Sequence, residues 1–147
     1  MLNGFPVTVV INEHYQQGQM TSVHAGMNAL SKECDGIMVC LSDQPLIEAV
    51  DINALIRAFE KRTHGAIVIP TYQGQRGNPI IMASEYRQVI VNSDRNLGCK
   101  RLIEKSPELA STAEMNSEHF VFDMDTPADY AEFKRRFMNS DDMVQAS

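Results

Sequence analysis

Three runs of apolar, largely β-branched residues set the terms for this chain: Phe5–Ile11 (FPVTVVI), Gly36–Leu41 (GIMVCL) and Ala66–Pro70 (AIVIP). Each is nearly continuous rather than alternating. A strand that is apolar on both faces has no side to offer water, so it belongs in a sheet covered on both faces. The stretches between the runs supply the cover. Met20, Val23, Met27 and Leu30 recur at three- and four-residue spacing, which predicts a helix over Thr21–Ser31 with Gly18 just before it. Ile52, Leu55, Ile56 and Phe59 form a second such stripe, with Asp51 as its cap and Gly65 closing it. Strands alternating with helices imply right-handed crossovers, hence an α/β fold: a three-layer α/β/α, Rossmann-like, mostly parallel sheet.

Beyond the third run, the polar loop Tyr72–Asn78 separates it from a short extended piece, Pro79–Ala83. Residues 84–110 read as helix in two pieces, broken around Asn92–Asn96, and His119–Phe122 reads as the last strand. Thr126 as N-cap, Pro127 at the first helical position and Asp129 in the first turn announce a helix running to about Met138. Asn139–Ser147 has little to bury. The expectation is one domain over residues 1–138, with 139–147 as a flexible tail.

A chain of 147 residues suits a single core, and 44% hydrophobic with 22% charged residues is ordinary for a folded protein. The formal charge of −6 argues against binding nucleic acid, which needs a clustered basic face. Lys134-Arg135-Arg136, near a helix end, complements the helix dipole instead. Three cysteines without paired spacing fit a reducing compartment, and no apolar run approaches the roughly 20 residues that span a bilayer. The sequence therefore predicts a cytoplasmic chain without a membrane partner.

Parallel strands end on one rim, so Asp43, after the second run, and Asp123 or Asp125, after His119–Phe122, are expected to converge there. Such carboxylates suit Mg²⁺, which takes one or two of them together with substrate phosphates. The chemistry that follows is phosphoryl or nucleotidyl transfer. On spacing alone, an aspartate at such a junction is more often an N-cap or a turn residue. Arg76 is a fork for a phosphate or a solvated loop residue. The four histidines show no metal-ligand spacing, and Ser42 and Cys40 lack the setting of a nucleophile.

The order of short motifs is more specific. Asn12-Glu13-His14-Tyr15 with Gly18 and Ser22, Leu41-Ser42-Asp43-Gln44-Pro45, Gly74-Gln75-Arg76-Gly77-Asn78-Pro79 and Phe122-Asp123-Met124-Asp125-Thr126-Pro127-Ala128-Asp129 follow one another. In that order they resemble the molybdenum-cofactor nucleotidyltransferases, which include the cytidylyltransferases and the guanine dinucleotide synthases. The resemblance covers roughly residues 5–135.

It implies Mg²⁺-dependent transfer of CMP from CTP, with GTP the alternative nucleotide, to a molybdopterin-type acceptor, with release of pyrophosphate. It implies Asp43 and Asp125 as catalytic metal ligands, with Asp123 the other candidate for the second position. Arg76, Gly77 and Asn78 stand where the cytidylyl branch has RGHP, so Asn78 replaces the frequent His and carries no proton-transfer role. Ser22 matches a position near the nucleotide, where a hydroxyl and free backbone N–H groups meet an anion. The glycine-rich loop and the following lysine that cradle the triphosphate in such enzymes have no counterpart in residues 1–30. By that comparison the chain starts at the third strand and lacks the first two, one of them central. A sheet short of a central strand leaves ladder groups unpaired at about 1–3 kcal/mol each. The expectation is impaired activity, or a non-catalytic remnant that self-associates as a homo-oligomer.

Overall fold

The computed structural model describes residues 4–30, 33–92 and 99–138, with the side chains of 99–101 and 138 left aside. The expected break near Asn92–Asn96 lies mostly outside these residues, and the tail at 139–147 wholly so. Five strands form one sheet: β1 (Gly36–Val39), β2 (Ile67–Tyr72), β3 (Gln75–Arg76), β4 (Ile80–Ala83) and β5 (Ala110–Glu114). The helices are α1 (Gln19–Ala29), α2 (Ala49–Glu60), α3 (Arg87–Val91), α4 (Cys99–Lys105) and α5 (Pro127–Phe133).

The order is β1-β4-β2, with β5 on the other edge of β2. β4 is antiparallel to both β1 and β2, and β5 is parallel to β2. β1, β2 and β5 therefore share one direction, as expected of a Rossmann-like α/β sheet. The departure is β4, inserted antiparallel because a short hairpin rather than a helix returns the chain from β2. β3 and β4 are two halves of that returning arm. Between the pairs Thr71↔Arg76 and Val68↔Ile81, two residues of β2 face four on the arm, Gly77–Ile80. The surplus makes a bulge in which Gly77 still donates to Pro70 of β2, while Asn78 turns its N–H to Phe120 instead of the sheet.

β2 buries every residue from Ile67 to Thr71, as a strand covered on both faces must. Leu55 and Phe59 of α2 join Ile67, Val68, Met82 and Ile90 in the core. α2 packs on β2 and β4, and α1 packs on α3. Asp51 is the third helical residue of α2, not its cap. Glu48 is the cap, and the two exchange backbone bonds in a capping box. Gly65 lies beyond the helix, which closes at Lys61, and its φ of +76° turns the chain into β2. Thr126, Pro127 and Asp129 start α5 as expected, again through a capping box. Phe133, at the end of α5, and Phe137 beyond it pack with Phe122, while Arg135 pairs with Glu132 and Arg136 with Glu118.

Two expected strands are corrected. His119–Phe122 is not a strand: Glu118–Val121 is a 3-10 turn that buries Phe120. The last strand is β5, whose sequence Ala-Ser-Thr-Ala-Glu carries no apolar run because it is only half covered. Phe5–Ile11 forms no strand either. Its large apolar side chains are 41–84% exposed. Such a run needs neighbouring strands to satisfy its backbone, and none lies beside it among the described residues. No helix among the described residues is long and apolar enough to cross a membrane.

Candidate functional site

The chain leaves β1 through Cys40-Leu41-Ser42 and turns at Asp43-Gln44-Pro45 before entering α2. Gln44 is only 7% exposed, so its amide must find partners inside the protein. Its Nε2 donates to the Phe120 carbonyl at 3.2 Å and to Asp123 Oδ1 at 3.0 Å. One residue earlier, the Asp43 carbonyl accepts from Met124 N at 2.8 Å. These bonds draw the turn after β1 and the segment before α5 together, so Asp43 and Asp123 lie on one corner. The convergence expected from parallel strands is present, with the 3-10 turn in place of the second strand.

The bulge of the returning arm closes the corner on its other side. Gly77 N donates to the Pro70 carbonyl and Asn78 N to the Phe120 carbonyl, both at 2.9 Å. At Gly77 a Cβ would stand 2.2 Å from Phe120 O, so only glycine allows the arm to approach this closely. The Phe120 carbonyl is thus shared by Gln44 and Asn78, which ties the Arg76-Gly77-Asn78 loop to the acidic turn. Arg76 itself is exposed, and the Asn78–Pro79 peptide is cis.

Burial, foremost, holds the Asp123 carboxyl above its ordinary range; the charges of Asp43 and Asp125 add to this, and the Gln44 bond opposes it. A carboxylate whose charge is disfavoured by burial and by two acidic neighbours makes a place that gains from a cation. Asp125 is exposed, and its backbone N–H goes to Asp129.

The donor set can be tested against a metal from the atoms left over. Asp43 Oδ1 and Gln44 Oε1 are buried oxygens with no hydrogen-bond partner. Both are hard acceptors of the kind Mg²⁺ or Mn²⁺ prefers. Among the described residues, no three His, Cys, Asp or Glu side chains close into a ligand cluster. The corner therefore fits a cation held by one or two carboxylates, with its other ligands coming from water or phosphate oxygens.

Ser22 stands apart from the corner. On the second turn of α1, it receives Asn12 Nδ2 at 2.8 Å, as does Thr21 Oγ1, so Asn12 pins the approach to the helix. Ser22 and Ser42 both line an open groove of about 460 Å³ between α1 and β1, and the groove thus ends next to Asp43. Sequence reasoning named Gln44 only as part of its turn, Asp51 only as a helix cap and His119 and Phe120 only within an expected strand, and it foresaw none of the contacts that join them. Their partners are 68 to 79 residues away, and no local spacing announces them.

A model of the MobA-like NTP transferase domain matches residues 1–112. Two curated relatives align with most of the chain. The molybdenum cofactor cytidylyltransferase of Escherichia coli (strain K12) is 23% identical over 131 residues, covering 89% of this chain and 64% of its own. The purine catabolism protein PucB of Bacillus subtilis (strain 168) is 28% identical over 123 residues, covering 82% and 58%. The chain thus spans about three-fifths of the length of these relatives. Among solved structures, Rv0371c from Mycobacterium tuberculosis H37Rv superposes with a TM-score of 0.66 at 16% identity, over 79% of this chain and 59% of that one. The same protein has been solved in complex with manganese, and that structure gives a TM-score of 0.61 at 17% identity, over 76% of this chain and 57% of that one. These likenesses bear on the fold.

Proposed function

Because the chain belongs to the MobA-like NTP transferase domain family, we propose that its acidic corner binds a divalent cation together with a nucleoside triphosphate, for transfer of the nucleoside monophosphate. The observation that carries this reading is the meeting of Asp43, Asp123 and Asp125 beside two buried oxygens, Asp43 Oδ1 and Gln44 Oε1, that lack partners. Mg²⁺ is the cation proposed, with Asp43 and either Asp125 or Asp123 as its protein ligands. When bound, it would supply positive charge against the triphosphate. The manganese complex of Rv0371c supports a cation of this class.

The remaining roles follow from position. Gly77 and Asn78 shape the wall opposite Asp43, and Arg76, exposed on the same loop, is free to reach a phosphate. Ser22 offers its hydroxyl from the neighbouring groove. CTP as nucleotide, with GTP the alternative, and molybdopterin as acceptor are the finer reading, supported by the E. coli relative; PucB, a purine catabolism protein at higher identity, keeps other acceptors in the test. Incubation with CTP, Mg²⁺ and molybdopterin should release pyrophosphate, and Asp43→Ala should reduce release to background. No release above that variant, with CTP or GTP, sinks the catalytic reading.

Two observations favour a second reading, a non-catalytic domain that self-associates. The apolar run Phe5–Ile11 is exposed, and β1 pairs on only one edge among the described residues. Sedimentation of a concentration-dependent oligomer that binds no nucleotide supports it, whereas a stable monomer that binds CTP–Mg²⁺ tightly removes it.

A further inference from the structure

The segment bearing Asp43 and the segment bearing Asp123 are joined in sequence like a zipper. Asp43 meets Met124, Gln44 meets Phe120 and Asp123, and Asp51 meets His119. As residue number rises on one side it falls on the other. The first two links sit at the corner itself. The third lies away from it, where Asp51 Oδ2 is 2.8 Å from His119 Nδ1.

Asp51 is well placed to act as an anchor. Its side chain is 6% exposed, and the carboxylate already accepts from Glu48 N in the capping box of α2. A buried carboxylate is costly without donors, so a second one is worth more here than at the surface. A carboxylate only accepts, which places the proton on Nδ1 of His119. His119 is the second residue of the 3-10 turn Glu118–Val121, and the next residue, Phe120, is 1% exposed and gives its carbonyl to both Gln44 and Asn78. Any rotation of that turn moves the carbonyl, and with it both walls of the corner.

We propose that Asp51 and His119 form a positioning clasp, which locks the turn Glu118–Val121 so that the Phe120 carbonyl sets Gln44 and Asn78, and through Gln44 also Asp123, for ligand binding. Neither residue reaches the corner, so neither is catalytic. The effect on the protein itself needs no ligand; the effect on cation affinity rests on the cation reading given above.

His119→Phe keeps the ring and removes the donor, and His119→Asn restores a donor near Nδ1; His119→Ala replaces the first variant if it does not fold. Hydrogen exchange in the metal-free protein is the first measurement. The amides of Asn78 and Met124 should exchange about tenfold faster in His119→Phe, return toward wild type in His119→Asn, and not move in Val91→Ala, a control on α3 that weakens the core. Mn²⁺ affinity, followed by paramagnetic broadening, should fall about tenfold in His119→Phe and recover in His119→Asn, as outer-shell partners of metal ligands behave. Unchanged exchange at Asn78, or an equal change in Val91→Ala, overturns the clasp. Altered exchange with unaltered Mn²⁺ affinity overturns its positioning role. If the wild type binds no Mn²⁺, the cation reading fails, and exchange alone decides the clasp.

Discussion

The corner around Phe120 and the stretch Phe5–Ile11 both carry large apolar side chains, yet the first is tied to segments distant in sequence and the second is bare. At the corner, three segments distant in sequence, 43–44, 77–78 and 120–124, meet largely on backbone atoms: the Phe120 carbonyl takes two donors, Gly77 fits only as glycine, and Asp43 is held through its own carbonyl. At the N-terminal stretch, Phe5 is 66% and Ile11 84% exposed. Hydrophobicity alone does not make a strand. A run of this kind becomes structure only where a neighbour takes up its N–H and C=O groups, whereas the corner joins three separate segments.

The largest effect should come from filling the closest approach. In Gly77→Ala the new methyl would lie 2.2 Å from the Phe120 oxygen and 2.7 Å from its carbonyl carbon, both backbone atoms that cannot swing aside. The expected loss is about 3 kcal/mol in urea unfolding, the upper range of overpacking. A loss under about 1 kcal/mol would mean that the bulge slides freely. The corner would then be no more fixed than the N-terminal stretch.

Much of this contrast can be placed on the sequence, but only where the signal is local. The buried run of β2, the stripe of α2 and the Thr126-Pro127-Asp129 start of α5 are short-range patterns, and they appear where expected. β5 escapes notice because a half-covered strand of Ala, Ser and Thr has no apolar run to display. His119–Phe122 resembles a strand only because Phe120 and Phe122 are apolar; Phe120 fills the core from a 3-10 turn instead. At the candidate site, Asp43 is flagged by its turn motif. Gln44, Asp51 and His119 are not, since what matters about each is a partner 68 or more residues away.

A smaller effect, of opposite sign, is expected at Asp123. Its carboxyl is held above the ordinary range, chiefly by burial. The folded chain therefore keeps this proton to higher pH than the unfolded chain does, and the metal-free protein loses stability as pH rises from the ordinary carboxylate value through the raised one. Above that window the deficit is constant; below the ordinary value it vanishes. Asp123→Asn retains an oxygen for Gln44 and removes the charge, so it should unfold later than wild type near neutral pH. At about pH 3, below the ordinary Asp value, the two should match. Because the group is mostly exposed, the gain should stay below about 1 kcal/mol. Saturating Mn²⁺ should reverse the order, stabilising wild type more than the variant. A variant less stable than wild type without metal would show that the charge of Asp123 is not disfavoured in the fold.

The smallest change in stability should come from the bare region. Val9→Ser and Ile11→Ser together replace side chains that are 67% and 84% exposed, so the urea midpoint should shift by no more than about 0.5 kcal/mol of stability. Removing an exposed apolar patch should still reduce concentration-dependent association, read by sedimentation, because such patches drive contact between copies. The two readouts separate what the stretch does within one chain from what it does between chains. A loss above about 1 kcal/mol would mean that residues 5–11 are packed in the native protein, since surface substitutions away from caps and cores rarely cost so much. In that event β1 would have a second neighbour, and the difference between the joined corner and the bare edge would disappear.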